Sequence, residues 1–148
     1  MRQKATGGWT GKLLRVDLST GSISAEDTIP YGQRYMGGRG IGARIGWDEI
    51  PPGVGPFDPE NRIIFAPGPL TGTSAPESGR TTIYSLSPQA YPYEWFSYSN
   101  IGGYWGPALK QAGYDAVIVQ GEAPQPAYLW VDDDRVELRD ASAVWGQG

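Results

Sequence analysis

Two stretches of this chain carry so much glycine that their backbone is left largely bare: Gly68-Pro-Leu-Thr-Gly-Thr-Ser-Ala-Pro-Glu-Ser-Gly-Arg80 and Ser99-Asn-Ile-Gly-Gly-Tyr-Trp-Gly106. Each adjoins a regular element. The first leads into a predicted strand over residues 81–86. The second opens a predicted helix over residues 104–112, which Gly113 ends ahead of a buried strand, Ala116-Val-Ile-Val-Gln120. Glycine lets backbone N–H groups approach a large ligand closely, and a helix N-terminus offers unpaired donors and partial positive charge. Arg80 adds a planar, permanently charged fork suited to a phosphate or a fused polar ring. Together they describe a cradle for a large, anionic, ring-containing cofactor. On the residues alone, tight turns beside a surface arginine explain the pattern equally well.

Of the 148 residues, 35 are glycine or proline, close to the level at which disorder becomes a serious reading. The apolar residues nevertheless fall in strand-length runs and aromatics make up 12% of the chain, so a folded domain fits better. A chain of this size forms one domain and buries roughly two-thirds of its unfolded surface. The net charge is −4 and the 12 basic residues are spread along the sequence, which argues against nucleic acid. No apolar window is long enough to span a membrane. The opening Met1-Arg-Gln-Lys-Ala-Thr-Gly-Gly8 lacks the apolar core of a signal peptide, which favours the cytoplasm.

Cysteine and histidine are both absent. The chain therefore supplies neither thiolate nor imidazole to an iron–sulfur cluster or an ordinary zinc site, and it lacks the usual nucleophile–base pairs. Chemistry here has to come from carboxylates, from a cofactor or from another polypeptide.

Residues 12–18 and 21–25 flank Ser19-Thr20 as a hairpin. Met36-Gly-Gly-Arg-Gly-Ile-Gly42 leads into a helix of about nine residues that Pro51-Pro52 stops. Residues 62–66 read as a buried strand, and residues 127–131 and 135–138 form a second hairpin around Asp132-Asp-Asp134. Mixed strands with two short helices, each following a Gly-Gly loop, give an α+β domain. Residues 139–148 show no closing element, so the architecture is expected to be incomplete.

Several motifs have plainer readings. Gly38-Arg-Gly-Ile-Gly42 lacks the spacing and the preceding strand of a dinucleotide fingerprint, and its glycines read as turn and packing residues. Asp132-Asp-Asp134 reads as a solvated turn rather than a calcium loop. Glu77 beside Arg80 reads as an exposed loop pair rather than an acid–base group. The aromatic run Tyr91-Pro-Tyr-Glu-Trp-Phe-Ser-Tyr98 reads as core filling or a partner interface ahead of a ligand-stacking surface.

Gly68-Pro-Leu-Thr-Gly-Thr-Ser-Ala-Pro76, Ser78-Gly-Arg80, Asn100-Ile-Gly-Gly-Tyr-Trp-Gly106, Leu109-Lys-Gln-Ala-Gly-Tyr-Asp-Ala116 and Arg139-Asp-Ala-Ser142 occur in that order. In this the chain resembles the N-terminal domain of tungsten-containing aldehyde ferredoxin oxidoreductases. The likeness runs from Trp9 and Arg15-Val-Asp-Leu-Ser-Thr-Gly21 to Trp145-Gly146. It implies that residues 1–148 are the first part of a duplicated α+β base carrying a bis-pyranopterin tungsten (or molybdenum) cofactor beside a four-iron (4Fe-4S) cluster. By the resemblance, Arg80 bonds the pterin and reaches towards the cluster. The main-chain carbonyl of Asn100 binds the magnesium joining two pterin phosphates, and Ile101, Gly102 and Gly103 bring backbone onto the phosphate. The pterin sulfurs would hold the metal, which accounts for a base without Cys or His. The cluster ligands, the acid–base residues and the second half of the base would lie in other domains, so the isolated chain is expected to be non-catalytic and to ligate no cluster.

Two functional readings follow. In one, the chain is the cofactor-binding base of an enzyme oxidising aldehydes to carboxylates, with ferredoxin as electron acceptor and the remaining enzyme domains or subunits as partners. In the other, it is a free-standing truncated or split-gene subunit with an assembly role. On the first reading a half-covered base is expected to self-associate, with the aromatic run as its exposed patch, unless its natural partner is present.

Overall fold

The computed structural model describes residues 7–89 and 92–147. Strands form where the chain is leucine-rich, β-branched or aromatic and free of glycine. The N-terminal hairpin consists of β1 (Lys12–Asp17) and β2 (Ser22–Asp27), turned so that the Asp17 carboxylate accepts the amides of Ser19 and Thr20 at 3.0 Å each. The sheet is completed by β3 (Arg62–Pro67), β4 (Thr81–Ser87), β5 (Trp95–Ile101) and β6 (Ala116–Gln120), in the order β2-β1-β6-β3-β4-β5. Among the described residues β1 and β6 form the one parallel pair, and the other neighbours in this sheet are antiparallel. A separate hairpin pairs β7 (Ala127–Asp132) with β8 (Arg135–Asp140). Its turn is the solvated one expected, with Asp133 in the left-handed region and Asp134 bonded to Lys12 at 2.5 Å.

Among the described residues there are three helices rather than two: α1 (Ile29–Tyr35), α2 (Arg39–Glu49) and α3 (Trp105–Gln111). The unexpected one, α1, contains Pro30 and Gly32, which lower its propensity. Pro30 sits in the first turn, where its fixed φ suits a helix start. Gly32 is required by packing, since a Cβ there would lie 2.7 Å from the Trp9 ring.

The two faces of the sheet bury separate cores. Leu13, Ile64, Ala66, Tyr84, Ala116 and Ile118 face Ile41 and Ile45 of α2. On the opposite side Leu14, Val16 and Val117 meet Leu109 of α3 and Tyr114, with the β7–β8 hairpin leaning in through Leu129, Val131, Val136 and Leu138. Strict alternation along β1 and β6 sends successive residues to opposite cores.

Beyond the cores, a partly buried network ties the layers together. Arg15 grips Glu49 bidentately at 2.6 and 2.7 Å and Glu26 at 2.7 Å, while Arg62 approaches Glu49 at 3.6 Å. Burial opposes the Arg15 charge, but its bonds to Glu49 and Glu26 outweigh this and raise its pKa. The last strand is longer than expected: β8 extends to Asp140, and Ala141 behind it is 4% exposed. Among the described residues no helix is long and apolar enough to cross a membrane.

Candidate functional site

The register of the sheet gathers the glycine-rich segments at one end. With Thr81 opposite Ile101, Pro67 opposite Thr81 and Lys12 opposite Asp27, the end of β3, the start of β4 and the end of β5 lie side by side. The segments leaving these ends are Gly68 onward, residues 78–80 and residues 102–103. The next step of the β4–β5 register sets Arg80 beside Gly102. A Cβ on Gly79 would lie 3.7 Å from the Gly103 carbonyl oxygen, so the two stretches touch. The 21 residues between Arg80 and Gly102 are thus closed by one hairpin.

Asn100 and Ile101 are the last residues of β5 rather than part of a loop. The Thr82 hydroxyl lies 3.2 Å from the Asn100 carboxamide oxygen and donates to it. The strand had to reach this far because Tyr98, Asn100 and Ile101 pair in turn with Tyr84, Thr82 and Thr81. The bare backbone begins at Gly102. A Cβ at Gly102 or Gly103 would meet nothing within 4 Å, and Gly103 has φ +76, which favours glycine.

Gly106 serves a different purpose. A Cβ there would collide with the Thr81 hydroxyl and lie 3.0 Å from Thr71 Cγ2, so this glycine is needed for α3 to dock. The Thr71 hydroxyl donates to the Ser78 carbonyl at 2.6 Å and folds the first stretch back on itself. With seven residues, α3 is too short for its N-terminus to act as an anion site alone, so the open glycines and the arginine carry that reading.

Arg80 is exposed and makes no hydrogen bond or ion pair among the described residues. The expected loop pair with Glu77 is not formed. Glu77 sits in the left-handed region at φ +59.

Sequence reasoning leaves out two neighbouring features. Met36 has φ +68 and ψ −64 and, with Gly37 N–H donating to the Tyr35 carbonyl at 2.8 Å, forms the strained type of γ-turn. Such a residue costs on the order of 1–3 kcal/mol. The Trp9 indole N–H donates to the Met36 carbonyl at 2.6 Å and holds the turn. The turn delivers α2 onto the sheet: Gly38 N–H bonds the Pro67 carbonyl at 3.0 Å, and the Arg39 guanidinium carbon lies 4.0 Å above the Tyr98 ring. The glycines of residues 38–42 are turn and packing residues, as read. A Cβ on Gly42 would enter the Tyr84 ring, and one on Gly40 the Tyr35 carbonyl. The signal for Arg39 is its position as the one charged residue in a run of glycines.

A buried pair underlies this end. Lys110 and Asp115 bond to each other, with side chains 7% and 3% exposed. Lys110 Nζ also donates to the Gly8 carbonyl at 2.7 Å, and Asp115 accepts the amides of Thr10 and Gly11 at 2.9–3.0 Å. The N-terminal segment is thereby clamped across α3 and the start of β6.

Among the described residues no group of three or more His, Cys, Asp or Glu side chains is placed to hold a metal ion. An unpaired guanidinium beside unobstructed glycine backbone suits an anionic organic ligand.

The family described as "Aldehyde ferredoxin oxidoreductase, N-terminal domain" matches residues 13–148. The tungsten-containing aldehyde ferredoxin oxidoreductase of Pyrococcus horikoshii is 46% identical over 95% of this chain. The aliphatic sulfonate oxidoreductase WOR-like subunit of Pyrococcus furiosus is 37% identical over the same share. This chain spans 23% of the first relative's length and 22% of the second's. Among solved structures, the active-site complex BamBC of benzoyl coenzyme A reductase, with 1,5-dienoyl-CoA, superposes with a TM-score of 0.87 at 45% identity. It covers 92% of this chain and 20% of that one. The chain belongs to the N-terminal domain family of the aldehyde ferredoxin oxidoreductases.

Proposed function

We propose that this chain is the cofactor-binding base of a tungsten (or molybdenum) bis-pyranopterin oxidoreductase. The observation that carries the reading is the meeting of Arg80, free of any carboxylate among the described residues, with the open backbone of Gly102 and Gly103 across the β4–β5 register. Arg80 would hydrogen-bond the pterin, the Asn100 main-chain carbonyl would bind magnesium, and Ile101, Gly102 and Gly103 would let the phosphates lie against the chain. When bound, such a group supplies two-electron redox chemistry at its metal. The base contributes grip and orientation, and neutralises negative charge.

In the assembled enzyme the reaction is aldehyde plus water to carboxylate, with electrons passing through a 4Fe-4S cluster held by other domains or subunits to ferredoxin in the cytoplasm. The family name and the tungsten-containing relatives support this direction. The likeness to a benzoyl coenzyme A reductase supports a variant on the same base that reduces an aromatic acyl-thioester and leaves the thioester intact. The test is Arg80→Lys in the assembled enzyme. An ammonium cannot reproduce a bidentate fork, so tungsten and pterin content per protein should fall. Unchanged content and unchanged electron transfer would refute the role.

One observation favours a second reading, a free-standing accessory subunit: both faces of the sheet are covered within these residues. DNA sequence downstream of the Gly148 codon separates the two. Cysteine-bearing domains in frame support the base, and a stop codon with no adjacent partner gene supports the subunit.

A further inference from the structure

Most cations in this chain already have carboxylates. Lys12, Arg15, Arg44, Arg62, Lys110, Arg135 and Arg139 all form ion pairs. Among the described residues Arg34, Arg39 and Arg80 do not. In a chain of net charge −4 an arginine without a partner is worth explaining, and two of the three lie at the glycine-rich end. Arg39 is also held in place. Gly46 and Gly42 set α2 against the rings of Phe96 and Tyr84, and Arg39, on the same side of the helix, continues the row over Tyr98. Tyr98 in turn lies 5.8 Å from Tyr84. The ring contact occupies none of the guanidinium N–H donors with an acceptor, and among the described residues Arg39 makes no hydrogen bond or ion pair. Along β5 the order is Tyr98 under Arg39, then Asn100 opposite Thr82, then Gly102 beside Arg80. At about 3.3 Å per residue the two arginines bracket roughly 13 Å of strand with Asn100 at its middle.

We propose that Arg39, stacked on Tyr98 at the start of α2, is a second anion contact of this site, gripping a phosphate-class group of the ligand on the side of Asn100 opposite Arg80. The proposal rests on the cofactor-base reading for the identity of the ligand, but concerns a residue outside the expected set. The strained Met36 turn and its Trp9 bond fix where α2 begins, so the guanidinium is positioned before ligand arrives.

The test uses the 148-residue chain with inorganic pyrophosphate as probe, followed by isothermal titration and by amide NMR shifts of Gly102 and Gly103. Arg39→Gln and Arg80→Gln are compared with the control Arg34→Gln, and thermal unfolding verifies each fold. The expected result is about tenfold weaker binding for Arg39→Gln, the loss of one charge-assisted hydrogen bond, with Arg34→Gln unchanged. Tyr98→Leu keeps the arginine but removes its platform, and should weaken binding in the same direction. If Arg80→Gln weakens binding and Arg39→Gln does not, the Arg39 proposal is overturned and the cofactor-base reading stands. If only Arg39→Gln weakens it, Arg39 is an anion contact and the role of Arg80 falls. Absence of pyrophosphate binding by the unaltered chain overturns both.

Discussion

Gly102 and Gly106 lie four residues apart and answer to different demands. A Cβ on Gly106 would run into the Thr81 hydroxyl and Thr71, which are 0% and 1% exposed and have no room to move. Gly106→Ala gains about 1 kcal/mol of helix propensity and loses more to overpacking, for a net loss of about 1–2 kcal/mol in denaturant unfolding. A midpoint equal to that of the unaltered chain would mean that α3 can shift without cost. Gly102→Ala adds a methyl where nothing lies within 4 Å, so stability should stay within about 0.5 kcal/mol. The same methyl stands where the ligand is proposed to lie, so pyrophosphate binding should fall while the unfolding midpoint holds. Loss of stability instead would make Gly102 a folding glycine. At this scale the sequence was informative: glycine clustering located both residues, but separating ligand clearance from packing required knowing that Thr81 lies behind Gly106.

At the scale of elements, the clamp formed by Lys110 and Asp115 joins α3, β6 and the N-terminal segment. Asp115→Ala leaves a buried ammonium and the amides of Thr10 and Gly11 without their acceptor. Removing one member of a buried pair costs about 3–5 kcal/mol. Limited proteolysis should then cut the segment before β1 at low protease concentrations that spare the unaltered chain, and equal protection would show that the clamp is dispensable. Most elements were legible in the sequence, because aliphatic, β-branched and aromatic residues mark β1, β3, β4 and β6 and because Pro51-Pro52 bounds α2. Two were not. The β5 strand is an edge strand with both sides partly exposed, so Trp-Phe-Ser-Tyr-Ser-Asn-Ile shows no clean polar alternation and reads as an aromatic cluster. Its neighbour in that run, Tyr91, lies outside the described residues. The α1 helix violates propensity with Pro30 and Gly32, and only the Trp9 ring above Gly32 explains it. Missing β5 also hid how Asn100 is held, since its Thr82 partner exists only once the two strands pair.

For the molecule as a whole, two consequences follow from how its surface and core are divided. Tyr31, Tyr84 and Tyr114 have phenol pKa values pushed above the ordinary 10.0, chiefly by burial. The folded state then holds protons that the unfolded state releases, so stability is fully present below pH 10 and declines as pH rises past it. Denaturant midpoints measured across that range should fall together with the appearance of phenolate absorbance, and a flat profile would mean these rings ionise without unfolding. The second consequence concerns association. The two edges of the sheet differ in kind. The β2 edge carries Glu26 and Asp27, whereas the β5 edge has no charged residue and displays Trp95 and Tyr98 at 60% and 52% exposure beside Tyr93 at 72%. Charge is the usual protection of a free edge, and its absence beside exposed aromatics favours pairing with another strand. We therefore expect the 148-residue chain to self-associate through β5, and sedimentation should show the average mass rising with concentration. Ser99→Lys places a charge on that edge, where Ser99 is exposed, and should restore the monomer without changing the unfolding midpoint. A monomer for the unaltered chain across a wide concentration range would show that the edge is shielded by its own twist, and the free-standing reading would gain. Association that Ser99→Lys leaves intact would move the contact to the exposed Trp145 and Val144 near the C-terminus, at 69% and 62% exposure.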